Sequence, residues 1–287
     1  MTAGAAAVIP TYLVVVEFGA AFRDSELLRL RALADKAGAK VVHVRTDRRP
    51  GLSLPEPNCA FEFSGFQDGL HAALDQTDGK AETEGLRIVF VNDTVFRAHL
   101  PGYGSALVTA LLALRAPAPA RGVCVGIAGP VPDGLTVGGK RLTRYISTWA
   151  FAVCAPRAEL RQLRFFDDGS TQENFAAAVW PSLPASYRAS VDLWLEPVHY
   201  LKGWYQAIPG RPLDEATRQR KRYSIYLEHT LALRAERAGL ALVDIGAADT
   251  SGGANGTWAA LKLSDRIYGN VKKLLLRARA SLRPRHD

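Results

Sequence analysis

At 287 residues, with 48% apolar and 22% charged side chains, the chain has the length and balance of a globular protein that buries one sizeable core or two modest ones, and a largely disordered polypeptide is excluded. A formal net charge of +8 calls for an anionic partner, and phosphate-bearing ligands, nucleic acid and an anionic membrane surface all satisfy it. Cys59, Cys124 and Cys154 lie far apart, two of them within apolar runs, which argues against a disulfide or zinc framework and for buried thiols in the cytoplasm.

The stretch through Ile9 and Pro10 is apolar but lacks a basic n-region and is interrupted by Pro10 and Glu17, so it reads as the approach to a core strand and not as a signal peptide. No later segment reaches the roughly 18 uninterrupted apolar residues of a membrane span, and any membrane association is expected to be peripheral. Tyr12 to Val16 is a predicted strand. The following helix has Asp24 or Ser25 to cap its start, Leu27, Leu28, Leu30 and Leu33 for its buried face, and Gly38 to end it. Val41 to Val44 is the second strand. Glu62 to Phe66 leads into a helix with Leu70, Ala73 and Leu74 inward, Arg87 to Val91 is the third strand, and a helix runs from about Gly104 to Leu114. This βαβαβ order predicts a parallel sheet with right-handed crossovers and a crevice lined by the loops after Val16, Val44 and Val91.

In the second half, Gly122 to Ile127 and Thr148 to Val153 read as strands, Pro156 opens a helix, and Ser170 with Glu173 makes a capping-box start for a helix through Val179. Gly134 to Lys140 has the spacing of a phosphate-cradling P-loop, but Arg141 stands where a Ser or Thr would ligate Mg²⁺, so a hairpin turn is expected there. His43, His71 and His99 show no metal-ligand spacing. With no repeat and no linker, one compact domain is expected over residues 1–262, a first half to 115 and a second from 116, followed by a basic tail over 263–287.

Two places carry chemistry. The third strand runs straight into Asn92-Asp93-Thr94, delivering a carboxylate to the sheet edge where α/β proteins bind ligands; Asp93 there either caps the next turn or holds Mn²⁺ or Mg²⁺. Further on, Arg222 to Ala238 reads as a helix closed by Gly239 and followed by the strand Leu240 to Ile245. Glu228 and His229 lie in its middle. Helical spacing sets Glu228 with Ile225 and Ala232 against the apolar stripe, as a solvated ion-pairing residue or as a member of a site.

Glu228-His229, Leu231, Leu233-Arg234 and Ala238-Gly239 resemble the acceptor-side segment of GT-A type glycosyltransferases, and Asn92-Asp93-Thr94 falls where those enzymes place a metal-binding DXD motif. Asn58 to Leu70 resembles a segment of bacterial rhamnan-synthesis-type transferases that also precedes an Asn-Asp-Ser strand end. The resemblance implies a GT-A-like, Rossmann-like mixed sheet flanked by helices, with a nucleotide-sugar-binding first half and an acceptor-side second half. It implies an enzyme of polysaccharide biosynthesis that moves a sugar from a nucleotide-sugar to a glycan or lipid-linked acceptor.

The chain departs from the family in carrying His229 where an Asp usually serves as general base and a single carboxylate, Asp93, in its DXD. On this reading Glu228, with His229 second, deprotonates the acceptor and Asp93 holds the metal. Phe18, Gly19, Arg23, Arg45, Asp47, Glu62, Ser64, Gly65, Asn92 and Lys221 bind the donor, and Trp149 and Trp204 contact the acceptor. The alternative is a catalytically inactive nucleotide-sugar-binding or assembly protein of the same fold. The tail from Lys272 to Arg285 combines leucines with six basic residues and suits the inner face of an anionic membrane; it has no aromatics for base stacking, so nucleic acid is not the expected partner.

Overall fold

The apolar runs of the first half become the parallel part of one sheet in the computed structural model, which describes residues 9–17, 22–45, 62–96, 102–114, 122–132, 134–167, 171–196 and 213–245. In chain order these are β1 (Thr11–Glu17), α1 (Asp24–Ala37), β2 (Lys40–Arg45), α2 (Glu62–Asp75), β3 (Gly85–Asn92) and α3 (Tyr103–Leu112). Then come β4 (Val123–Pro130), the short hairpin β5 (Thr136–Val137) and β6 (Lys140–Arg141), β7 (Arg144–Pro156) and α4 (Arg157–Gln162). A broken helix follows, α5 (Gln172–Asn174) leading through a π-helical turn (Phe175–Val179) into α6 (Trp180–Ser182). Last are α7 (Ala185–Leu195), α8 (Glu215–Arg237) and β8 (Ala241–Asp244).

The main sheet has the order β2-β1-β3-β7-β4-β8. β2, β1 and β3 are mutually parallel, β8 is parallel to β4, and β7 runs antiparallel to both β3 and β4. The architecture is therefore α/β with a mixed six-stranded sheet, and a reversed strand occupies its middle. Residues from both halves of the chain share this sheet, because β7 is hydrogen-bonded to β3 on one side and β4 on the other.

Side-chain alternation makes two cores from the one sheet. Tyr12, Val14, Val16, Ile88 and Phe90 pack with α2, α4 and α8, whereas Leu13, Val15, Val89 and Val91 pack with α1 and α3. In the first core Phe66 of α2 meets Phe90 and Phe151 edge-on, at ring-centroid distances of 5.6 and 5.3 Å, while those two stack at 4.9 Å. Gly69 brings α2 down on the sheet: a Cβ there would lie 2.2 Å from a Val14 methyl. This packing fixes the N-terminal end of α2, and with it Glu62, at the carboxyl edge of β1 and β3.

Several boundaries differ from the sequence expectation for local reasons. Helix α1 is capped at Arg23, whose backbone N–H donates to Glu26 (2.8 Å), and Leu28 of its expected apolar face is 63% exposed. Helix α8 starts at Asp214, which accepts from the Thr217 N–H (2.8 Å), so it gains two highly charged turns that carry no apolar period. Those turns are held instead by ion pairs to α7 and its end, Arg218 to Glu196 (2.9 Å) and Arg222 to Asp192 (2.7 Å). The cap expected at Ser170 falls on Thr171, whose hydroxyl accepts from the Asn174 N–H (3.1 Å). Gly138 and Gly139 take positive φ in the β5–β6 turn, as a hairpin requires. Cys124 and Cys154 are buried free thiols, and Cys59 lies outside the described residues. Among the described residues no helix is long and apolar enough to cross a membrane.

Candidate functional site

Strand β7 loses its regular pairing at the sheet edge. Gly126 of β4 faces Phe151, but two residues on, Ala128 faces Ile146, so Ser147 to Ala150 form a bulge on the β4 side. On the other side the ladder runs to Val91 opposite Ala150, which makes Asn92-Asp93 and Thr148-Trp149 the next residues on adjacent strands. A bulge releases backbone groups from the ladder and re-aims side chains. Thr148 uses this freedom: its N–H (3.0 Å) and its hydroxyl (3.1 Å) both donate to Oε1 of Glu228 on α8.

Glu228 is thus held at the sheet edge, half-buried, with neutral donors. Burial pushes its carboxyl up to about 7, the negative charge of Glu62 adds to the rise, and the Thr148 bonds and the Lys221 charge oppose it. Glu62 is itself raised by burial, against Lys221 and a hydrogen bond from the Ser224 hydroxyl. Lys221, Ser224 and Glu228 recur at helical spacing along one face of α8, and Glu62 is the residue α2 sets against that face. The outcome is a pair of coupled carboxyls with one ammonium between two helices.

A cavity of about 600 Å³ opens at Glu228. Pro130 and Pro132 at the end of β4 and Tyr145 of β7 form one wall, and Val191, Leu193 and Trp194 of α7 form another. Ile225, Glu228 and His229 supply the floor from α8. His229 is buried between two tyrosines: its Nδ1 shares a 2.9 Å hydrogen bond with the Tyr187 hydroxyl, and its ring lies 4.7 Å from that of Tyr145. Burial holds its imidazole down at about 4, so it is neutral at physiological pH. Burial and the nearby Glu228 charge keep the Tyr145 phenol protonated. Of the two residues expected to act as base, Glu228 has the proton affinity for the task near neutrality and His229 is a neutral polar wall.

At the end of β3, Asn92 makes the Asx turn: its Oδ1 accepts from the Thr94 N–H (3.1 Å) and hydroxyl (2.6 Å). The neighbour of Asp93 thus caps this turn. Asp93 is buried at the same edge, at 3% exposure. No group of three or more His, Cys, Asp or Glu with metal-site geometry occurs among the described residues. One carboxylate still fits Mg²⁺ or Mn²⁺ when substrate phosphates and water complete the shell.

The other expected donor residues spread along this edge. Ser64 and Gly65 follow Glu62 on the first turn of α2, and Arg23 is exposed at the start of α1. Arg45, at the end of β2, points its Nε at Glu17 Oε2 (2.9 Å). Trp149 is half-buried in the bulge and is not among the cavity-lining residues; Trp194 is. Phe18, Gly19, Asp47, Trp204 and the basic tail lie outside the described residues.

Sequence reasoning missed Thr148, Tyr145 and Tyr187, which reach Glu228 or His229 through tertiary packing alone, and Ser224, which meets Glu62 from the same face of α8 as Glu228. It read Glu17 only as an interruption of the N-terminal apolar stretch, although Glu17 ends the run of β1 as Asp93 follows that of β3. No family model matches the chain, and no curated protein matches it either.

Proposed function

We propose that this protein is a glycosyltransferase of the GT-A type that moves a sugar from a nucleotide-sugar donor to an acceptor hydroxyl in the synthesis of a bacterial surface glycan. The observation that carries the reading is the setting of Glu228, a carboxyl raised to about 7 that faces a cavity and stands beside the strand end bearing Asp93. A general base works best with a pKa near the operating pH, and enzymes tune carboxyls toward it by burial and like-charge neighbours. Glu228 has both.

In the proposed reaction the donor lies over the ends of β1, β2 and β3, with its nucleoside toward the loops after Val16 and Val44. The acceptor hydroxyl enters from the cavity, and its proton passes to Glu228 as its oxygen bonds to the anomeric carbon. The bond from that carbon to the phosphate oxygen breaks, and the diphosphate leaves with the electron pair. A divalent cation held by Asp93 would compensate the charge on the departing diphosphate. Arg23 contributes a guanidinium on the donor side, and Arg45 a second one that it shares with Glu17. Lys221 balances the carboxyl pair and stabilises the site between turnovers.

A thermal-shift screen of UDP, GDP, CDP and dTDP, each with and without Mn²⁺, tests the donor side on the wild type and Asp93→Ala. A metal-dependent rise with one nucleotide that the variant loses supports the reading. Nucleotide binding with no sugar transfer or donor hydrolysis, in the wild type as in Glu228→Gln, would replace it by a nucleotide-sugar-binding protein without turnover.

A further inference from the structure

We propose that the cavity beside Glu228 binds an uncharged, hydroxylated ring compound, with its ring against Trp194 and Tyr145 and one hydroxyl donating a hydrogen bond to the Glu228 carboxylate. As a statement about the acceptor this rests on the transferase reading; as a statement about binding it does not.

Volume, charge and wall chemistry each narrow the ligand. About 600 Å³ is within the range of small-molecule sites and admits one or two rings. The walls are prolines, aliphatic side chains and the flat faces of Tyr145 and Trp194, which favour a ligand with an apolar face. Polar groups gather at the floor, where Glu228 and His229 adjoin and Tyr145 brings a protonated phenol, and Ser190 on the α7 side is the one other polar residue among the described lining. That pattern suits a molecule with hydroxyls at one end and a flat body at the other.

Charge supplies the exclusion. Among the described residues that line the cavity none is a lysine or arginine, and His229 is held neutral by burial. A ligand carboxylate or phosphate would have to leave water for a place beside Glu228, whose own charge is already disfavoured by burial and, to a lesser extent, by Glu62. The cations of the site, Arg23, Arg45 and Lys221, are not among the residues that line it. The cavity is therefore selective against anions, unlike the donor side of the same edge. The aromatic anchor is accessible: Trp194 is 38% exposed and Leu193 beside it 52%, so the mouth lies along α7.

The test is isothermal titration calorimetry on the full chain without nucleotide or metal, at about pH 8, where Glu228 is largely ionised. The probes are the phenyl glycosides of glucose, galactose, mannose and rhamnose, with phenyl glucuronide as the anionic counterpart. At least one neutral glycoside is expected to bind about tenfold or more tightly than the glucuronide, and Trp194→Ala to weaken it by about tenfold. Leu193→Arg, at an exposed position, keeps the fold and puts a cation at the mouth; it should bring the glucuronide level with the neutral glycosides.

Binding of no neutral glycoside, a glucuronide that binds the wild type as tightly, or a Leu193→Arg variant that leaves the preference unchanged would overturn the assignment. So would a folded Trp194→Ala protein with undiminished affinity. Ring binding without nucleotide-dependent stabilisation would keep the assignment and sink the transferase. Nucleotide stabilisation without ring binding would do the reverse.

Discussion

Two acids stand along the same sheet edge, Glu17 at the end of β1 and Glu228 beside the bulge of β7, and the company they keep differs in sign. Glu17 is buried with two basic partners, Arg45 at 2.9 Å and His43 at 3.4 Å, and accepts the Phe22 N–H at 3.1 Å. Glu228 is met by the Thr148 N–H and hydroxyl, by a second acid and by one lysine, and it faces a cavity. The first arrangement satisfies a negative charge and ties β1 to β2. The second keeps a proton within reach at neutral pH. Burial alone therefore says little about what an acid does, and the charge of its neighbours says more.

Exchanging the two roles should fail in opposite ways. The largest effect expected is on turnover: Glu228→Gln should lower sugar transfer by about 10²- to 10⁴-fold while leaving the thermal midpoint unchanged or slightly higher, checked by initial rates beside a melting curve. Glu17→Ala should instead cost about 2 kcal/mol of stability in urea unfolding, because a buried N–H and the Arg45 guanidinium lose their acceptor.

Smaller effects sharpen the account of Glu228. A base must be ionised to act, so transfer should rise with pH through about 7. Glu62→Gln removes a like charge and should move that rise to lower pH; Thr148→Val removes a donor to the ionised form and should move it higher, each by up to about one pH unit. A rise that stays put in both variants would assign the titration to another group.

Stability carries the same signature. Glu228 has a folded value of about 7 against an ordinary 4.5, so between those pH values the folded state holds a proton that the unfolded state has released. Its contribution to stability therefore falls as pH rises from about 4.5 to about 7, and Glu228→Gln should flatten that slope in unfolding titrations.

The parallel part of the fold was legible because its strands are continuous apolar runs bounded by helix caps. Leu13 to Val16 and Ile88 to Val91 are buried on both faces, and such segments announce themselves without any knowledge of their neighbours. The setting of Glu228, a polar residue against the apolar stripe of one helix, was legible too, whereas His229 was singled out by the family resemblance. What completes the site was not. Thr148, Tyr145 and Tyr187 come from β7 and α7, and nothing local marks the bulge that turns Thr148 toward α8. The early turns of α8 also escaped, since charged surface turns held by Arg222 with Asp192 and Arg218 with Glu196 carry no period. Helix α7 was missed although Tyr187, Val191 and Leu195 recur at helical spacing and are buried. Trp194 rather than Trp149 reached the cavity, a distinction set by which face of α7 meets α8.

The reversed strand also bears on how the chain is made. Strand β3 is complete at Asn92, yet its second neighbour, β7, begins only at Arg144, after β4 and the small hairpin. While the protein emerges from the ribosome, one side of β3 exposes unpaired backbone amides and carbonyls flanked by Ile88, Val89 and Phe90, the kind of edge to which another nascent chain can anneal. Burden on chaperones should accordingly peak midway through synthesis and subside once residues up to Pro156 have cleared the exit tunnel.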